Sequence, residues 1–398
     1  MSKKISIGAA IMFMAMTAAV TITITVVVVM RMLNANISDF SHRSAMFQKL
    51  STVDALVREN YIGNIDEAKL NDSIIQGYVQ GVSDKYGRYL DAAAYSLMTL
   101  ENQGKTSGIG VSVVENTDGY IKVVSVLAGS PSLTAGIKPN DIITKISGQD
   151  VKAMGYAASV SALRGTVGST ADFTISRGGT DIKLTLVRKS FDTQTVTSRM
   201  IGSTAYVRII EFNGNTDEQF SEQVDSLISK GAKGIVFDVR NNPGGLLSSV
   251  ENMIDKLVPA GPIVRAKYKD GKIKQIDKLS DANQVNLPMA VLTNQNTASA
   301  AELFTAALKD YNKAKSIGTK TYGKGTMQQI IDLKDGTALD LSVALFYPPT
   351  SDNFEGKGVL PDIQVDLSAD KQNNLSTLTD DQDDQLQAAL GYILPLEK

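Results

Sequence analysis

The sequence predicts a multidomain chain of mixed α+β and α/β class, with an N-terminal transmembrane helix, a helical arm, a small β domain and an α/β core. Three observations predict it. Residues 5–30 are mostly apolar and carry no charged side chain. Residues 108–188 read as short alternating strands punctuated by Gly and Pro, and from about residue 190 apolar strands alternate with helical stretches. With 398 residues, 43% of them apolar and 21% charged, the chain has material for two or three domains with buried cores. The expected divisions are 1–33 for a cytoplasmic N-terminus and membrane anchor, 41–96 for the arm, 97–189 for the β domain, 190–368 for the core, and 369–398 for a C-terminal tail and helix.

Lys3 and Lys4 precede the apolar run, which at about 1.5 Å per residue is long enough for a hydrocarbon core of roughly 30 Å. It ends in Val26-Val27-Val28-Val29-Met30-Arg31, a poor cleavage context, which favours an uncleaved signal anchor over a cleaved signal peptide. The two lysines favour a cytoplasmic N-terminus against the competing Arg31, so the body of the chain is expected outside the cytoplasm, on a bacterial-type cell membrane.

In the arm, Phe47, Leu50, Val53, Leu56 and Val57 recur at helical spacing before a stop at Tyr61 and Gly63. A second helix is expected over 70–82, and Asp84 to Leu90 breaks the pattern. In the β domain, strands at 110–114 and 121–126 flank Asn116-Thr117-Asp118-Gly119, a hairpin signal. Further strands are expected at 141–146, 172–176 and 182–187, with a helix over 157–163. In the core, buried strands are expected at 205–210, 234–239, 289–293 and 314–317, and helices at 217–229, 246–257 and 299–309.

Composition excludes whole classes of chemistry. Forty Lys and Arg against 42 Asp and Glu leave a net charge of −2, without the basic excess of a nucleic-acid binder. There is no Cys, so disulfides, thiolate metal sites and Cys nucleophiles are impossible; the single His, His42, cannot build a His-based zinc site. No metal and no cofactor is expected. A Ser-His-Asp triad would have to recruit His42, far in sequence from any candidate nucleophile.

Three segments remain as carriers of chemistry. Ser299 opens a predicted helix and stands three residues before Glu302, the capping-box spacing, so it reads either as a cap or as a nucleophile beside helix-start N–H groups. Lys324 lies in Gly318-Thr319-Lys320-Thr321-Tyr322-Gly323-Lys324, most of a phosphate-binding loop. Gly325 stands where Ser or Thr would hold the metal, and a strand follows instead of a helix, so Lys324 reads as structural unless another group claims it. Asp238-Val239-Arg240-Asn241-Asn242-Pro243-Gly244-Gly245 closes a strand with paired glycines. That is turn chemistry, or a source of backbone N–H groups for a developing anion.

Together, Thr297 to Glu302, Thr321 to Gly325 and Asp238 to Gly245 resemble the carboxy-terminal processing, or tail-specific, proteases. The interval of 25 residues from Ser299 to Lys324 and of 4 from Lys324 to Gln328 is as that family has it. Asp84 to Leu90, with Lys85 where Pro is usual, Gly108-Ile109-Gly110-Val111, and Gly356 to Asp362 extend the resemblance over roughly 41–395. It implies a crotonase-like α/β protease core preceded by a PDZ domain. Ser299 would be the nucleophile, Lys324 the general base and then acid, and Gln328 the support of the lysine from the same strand face. Ala300 with Gly244 or Gly245 would supply the oxyanion hole. Gly108, Ile109, Gly110 and Val111 would capture a substrate's terminal carboxylate, and Arg164 would link this module to the active site. The implied partners are polypeptides with free C-termini and the membrane, not nucleic acid, with the helical arm as the surface for a homodimer. The competing readings are an inactive membrane-tethered PDZ adaptor, which the intact Ser299, Lys324 and Gln328 oppose, and a crotonase-like acyl-transfer enzyme.

Overall fold

The computed structural model describes residues 7–127, 129–275 and 278–396. The chain divides into two compact units, Met1–Ile74 and Ile75–Lys398.

The first unit is dominated by one helix, Ile7–Asn60, which joins the expected anchor and the first arm helix into a single element. It ends where Tyr61 and Gly63 were expected to stop it. The Arg58 guanidinium closes this end, donating to Asp54 at 2.9 Å and to Glu67. Among the described residues, no helix is long and apolar enough to cross a membrane. The transmembrane helix expected over 5–30 is therefore not found there, although Ile5 and Ser6 lie outside the described residues. The run carries Thr17, Thr21, Thr23 and Thr25 among its apolar residues, and the side chains of 9–11, 15 and 27–30 lie outside the described residues. The first three threonines return their hydroxyls to carbonyls four residues back at 2.7–2.8 Å. Helix Glu67–Gly81 then spans the boundary into the second unit.

In the second unit, the β domain has the strand order Val111–Glu115, Ile121–Val126, Ile142–Ile146, Thr170–Arg177, Thr180–Val187, so Val111–Glu115 is an open edge. The predicted hairpin forms at Asn116, whose N–H donates to Tyr120 at 2.8 Å, with Gly119 at φ +82°. Ile121, Val123, Ile143, Ile146, Phe173 and Ile175 alternate inward and make one core. Helix Tyr156–Leu163 packs against it. Arg188 caps that helix, donating to the Ala162 and Leu163 carbonyls at 2.7 and 3.2 Å.

The second core is a six-stranded sheet in the order Val196–Ile201, Thr204–Ile209, Gly234–Asp238, Met289–Thr293, Ala314–Gly318, Ile363–Gln364; all but the first strand run parallel. Ile235, Phe237, Met289 and Val291 face helices Thr216–Ser229, Leu247–Asp255 and Ala300–Asp310. Val236, Ala290 and Leu292 face helix Asp384–Ile393 through Leu386, Ala389 and Ile393. Burial on both faces is why these strands read as unbroken apolar runs. Phe237 meets Phe220 and Phe304 at centroid distances of 5.5 Å. Ala338–Tyr347, not anticipated from sequence, pairs with Thr326–Asp332 and with Arg88–Leu90 in a separate sheet. The loops at the carboxyl ends of the parallel strands carry all three chemistry-bearing segments, where an α/β sheet ordinarily places its site.

Candidate active site

Ser299 is set by the loop that leaves Met289–Thr293. The Thr297 hydroxyl donates to the Val239 carbonyl at 2.8 Å and the Ala298 N–H to Asn242 at 2.9 Å, fixing this loop against the neighbouring strand's end. Ser299 is then forced to φ +56° and ψ −119° at the helix start, a conformation that costs a non-glycine residue about 1–3 kcal/mol. Its side chain is nearly buried, at 8% exposure.

The expected capping partner does more than cap. Glu302 is fully buried and its carboxylate accepts four donors. One oxygen takes the N–H of Ser299 at 2.9 Å and that of Lys324 at 2.8 Å; the other takes the N–H of Gly323 at 2.7 Å and the hydroxyl of Thr321. Two hydrogen-bond lengths therefore separate the main chains of Ser299 and Lys324. Burial pushes this carboxyl above the ordinary range while the four donors pull it back. Every neighbour donates, so the ionised form is the one the site accommodates.

Lys324 is half-buried, and burial pulls its amine below the usual lysine range; the carboxylates of Asp340, Glu355 and Asp84 oppose the shift and Arg88 adds to it. The ammonium lies 4.6 Å from the centre of the Tyr86 ring, and no hydrogen bond links it to Ser299. Gln328 does not reach Lys324. Its amide donates to the Thr326 hydroxyl at 3.0 Å and to Ser342 at 3.2 Å. The same-face expectation has no strand to carry it at Lys324, because the strand begins only at Thr326. Asp84 fixes Ser342 in turn, accepting its N–H and its hydroxyl at 2.8 Å.

Gly244 presses on the nucleophile candidate. At φ +101°, a Cβ there would stand 2.7 Å from Ser299 Cβ and 2.9 Å from the Ala300 nitrogen. Its N–H is taken by Asn242 Oδ1 at 2.8 Å, whereas no hydrogen bond among the described residues engages the N–H of Ala300 or Gly245. The Gly244 carbonyl accepts the Phe212 N–H at 2.9 Å; across the trans peptide the Gly245 N–H points the opposite way. The loop is anchored by Arg240, almost fully buried, which donates to Asp238 at 2.7–2.9 Å and to Asp383 at 2.7–2.9 Å.

In the β domain, Gly108, Ile109, Gly110 and Val111 line a groove of about 270 Å³ together with Tyr156 and Leu163. Among the described residues no hydrogen bond engages the N–H of Ile109 or Gly110. Arg164 ends the groove helix, exposed, with its guanidinium 3.6 Å from the equally exposed Glu101, a pair worth little in water. Among the described residues no group of three or more His, Asp or Glu side chains could hold a metal ion.

Residues 203–365 match the model of peptidase family S41, residues 97–176 a PDZ domain, and residues 5–94 the N-terminal domain of the activating protease CtpB. Over 324 residues the chain is 34% identical to the carboxy-terminal processing protease CtpA of Bacillus subtilis, covering 81% of this chain and 69% of that one. The chain belongs to the carboxy-terminal processing proteases. It is a serine-type C-terminal processing peptidase of family S41 with a PDZ domain. A solved Bacteroides fragilis structure named for the S41 proteases shares the fold at 19% identity and a TM-score of 0.50, over 87% of this protease and 97% of that chain. A photosystem II D1 C-terminal processing protease is 27% identical with a TM-score of 0.47, over 78% of this protease and 86% of that chain.

Sequence reasoning assigned Glu302 only a cap and gave Asp84, Tyr86, Asn242 and Arg240 no role. The capping-box spacing was the one signal for Glu302; the others are joined to the site by contacts distant in sequence.

Proposed function

We propose that this protease uses Ser299 and Lys324 as its catalytic pair. The observation that carries the reading is the shared Glu302 oxygen, which holds the main chains of both residues at one point. The Ser299 oxygen attacks the peptide carbonyl carbon while the neutral Lys324 amine takes the hydroxyl proton. Collapse of the tetrahedral intermediate breaks the C–N bond, and the leaving amine receives that proton from Lys324. Water then adds to the acyl ester with Lys324 again as base, freeing Ser299. The oxyanion is received by the N–H groups of Ala300 and Gly245, because Gly244 spends its own on Asn242. Lys324 moves from the Tyr86 face to Ser299 in the reacting state, and Gln328 supports it there once released from Ser342.

In the same reading the PDZ groove selects substrates by their free C-terminus, through the N–H groups of Ile109 and Gly110, and Arg164 couples the two. Residues 5–30 tether the enzyme to a membrane, a role supported by the charge-free run and by the exposure of Ile7, Phe13 and Ile22, with the catalytic part outside the cytoplasm. The exposed stripe of Phe47, Leu50, Val53, Leu56 and Val57 pairs two copies through the arm.

The test is hydrolysis of a fluorogenic peptide with a free, apolar C-terminus. Ser299→Ala and Lys324→Ala each abolish turnover while circular dichroism and melting stay unchanged. Turnover near wild type in either variant overturns the assignment.

A further inference from the structure

The edge strand of the PDZ groove is already partly occupied. The hydroxyl of Tyr156, the first residue of helix Tyr156–Leu163, crosses the groove and donates to the Val113 carbonyl at 3.1 Å. Val113 belongs to Val111–Glu115, the open edge of its sheet. The register shift against the neighbouring strand skips Val124 on that neighbour, so Val111–Glu115 keeps its alternation. Main-chain groups therefore face the groove at every second residue, at Val111 and again at Val113.

A chain end whose carboxylate sits on the Ile109 and Gly110 N–H groups would run antiparallel to this strand. Its last residue would lie beside Val111 and its third-from-last residue beside Val113, donating its N–H to the Val113 carbonyl. That acceptor is the one Tyr156 holds. We infer that the Tyr156 hydroxyl is a bar across the second rung of the peptide-binding edge, displaced by the main-chain N–H of the substrate's third-from-last residue, and so a specificity-determining residue. The inference rests on the chain-end reading of the PDZ groove.

The bar has a chemical consequence. An ordinary chain end exchanges one hydrogen bond for another at Val113, whereas an end without that N–H, such as one with proline there, leaves Tyr156 in place and gains nothing from its removal. Tyr156→Phe deletes the hydroxyl and keeps the ring.

The experiment measures Kd by fluorescence anisotropy on the full-length chain carrying Ser299→Ala, so that peptide is not consumed. Three labelled hexapeptides with an apolar last residue are compared: a free carboxylate, the same peptide with an ester replacing the amide that carries the third-from-last N–H, and a C-terminal amide. Tyr156→Phe should tighten the carboxylate peptide by roughly 2- to 10-fold, the worth of one neutral hydrogen bond, and leave the ester peptide no tighter. Equal tightening of both, or weaker binding of the carboxylate peptide, overturns the bar while a preference for carboxylate over amide leaves the chain-end reading standing. Equal binding of the carboxylate and amide peptides to the parent overturns that reading and the bar with it.

Discussion

Replacing Glu302 by Gln tests whether the active site is assembled on one carboxylate. The side chain is buried and accepts four donors, three of them backbone N–H groups. An amide has a single acceptor oxygen. In its better orientation, that oxygen keeps Ser299 and Lys324, and its NH₂ group faces the Gly323 N–H and the Thr321 hydroxyl. Thr321 can turn, since its oxygen already accepts the Val359 N–H at 2.6 Å, but the Gly323 N–H cannot. The variant loses one or two charge-assisted bonds and leaves a buried donor orphaned, costing about 3–5 kcal/mol. For a core of this size, each kcal/mol lowers the melting temperature by about 2–4 °C, so the core should melt roughly 6–20 °C lower. Scanning calorimetry reads that shift, and kcat/KM measured well below the transition should still fall at least tenfold, because Ser299 and Lys324 share the anchor. A variant that melts within 2 °C of wild type and keeps its kcat/KM would refute the idea that Glu302 organises the site.

Burial lowers the Lys324 pKa, and only the neutral amine can take the Ser299 proton, so kcat/KM should rise with pH and level off below the ordinary lysine value of about 10.4; a profile still climbing above that value would remove the base assignment. Gly244→Ala places a Cβ against Ser299 and Ala300 at a positive φ, and should reduce kcat at least tenfold, read by single-turnover kinetics on protein whose circular dichroism is unchanged. In the PDZ domain, hydrogen bonds from Arg177 hold the Asp141 carboxyl below its unfolded value. The resulting stabilisation is complete above about pH 4 and is lost as pH falls through the folded pKa. Arg177→Gln should therefore flatten the acid limb of PDZ melting temperature against pH, and an unchanged limb would show that the pair contributes nothing.

Legibility followed sequence distance. The strands 121–126 and 289–293 and the hairpin at Asn116–Gly119 were readable because alternation and turn chemistry are local. Ser299 and Glu302 were readable as a pair because a helix start brings them together within one turn. Strand Ala338–Tyr347 escaped because its partners, Arg88–Leu90 and Thr326–Asp332, lie on different elements and nothing local marks the pairing. The Tyr86 ring against Lys324 and the Asp84–Ser342–Gln328 chain escaped for the same reason. Gln328 was placed on the lysine's strand face by extending the alternation of Thr326–Asp332 back to Lys324, where the strand has not begun.

The Arg240–Asp383 contact joins residues 143 positions apart, and it has a consequence in time. Chains emerge from the ribosome at about 5–20 residues per second, so roughly 7–30 s pass between the synthesis of these two partners. Through that interval Arg240 has Asp238 but not Asp383, and the loop bearing Gly244 and Gly245 lacks its last support. The segment that completes this loop is made after Ser299 and Lys324. A nascent chain thus holds every residue of the proposed catalytic pair before it holds the scaffold that lets them act, and the order of synthesis delays the appearance of a working protease.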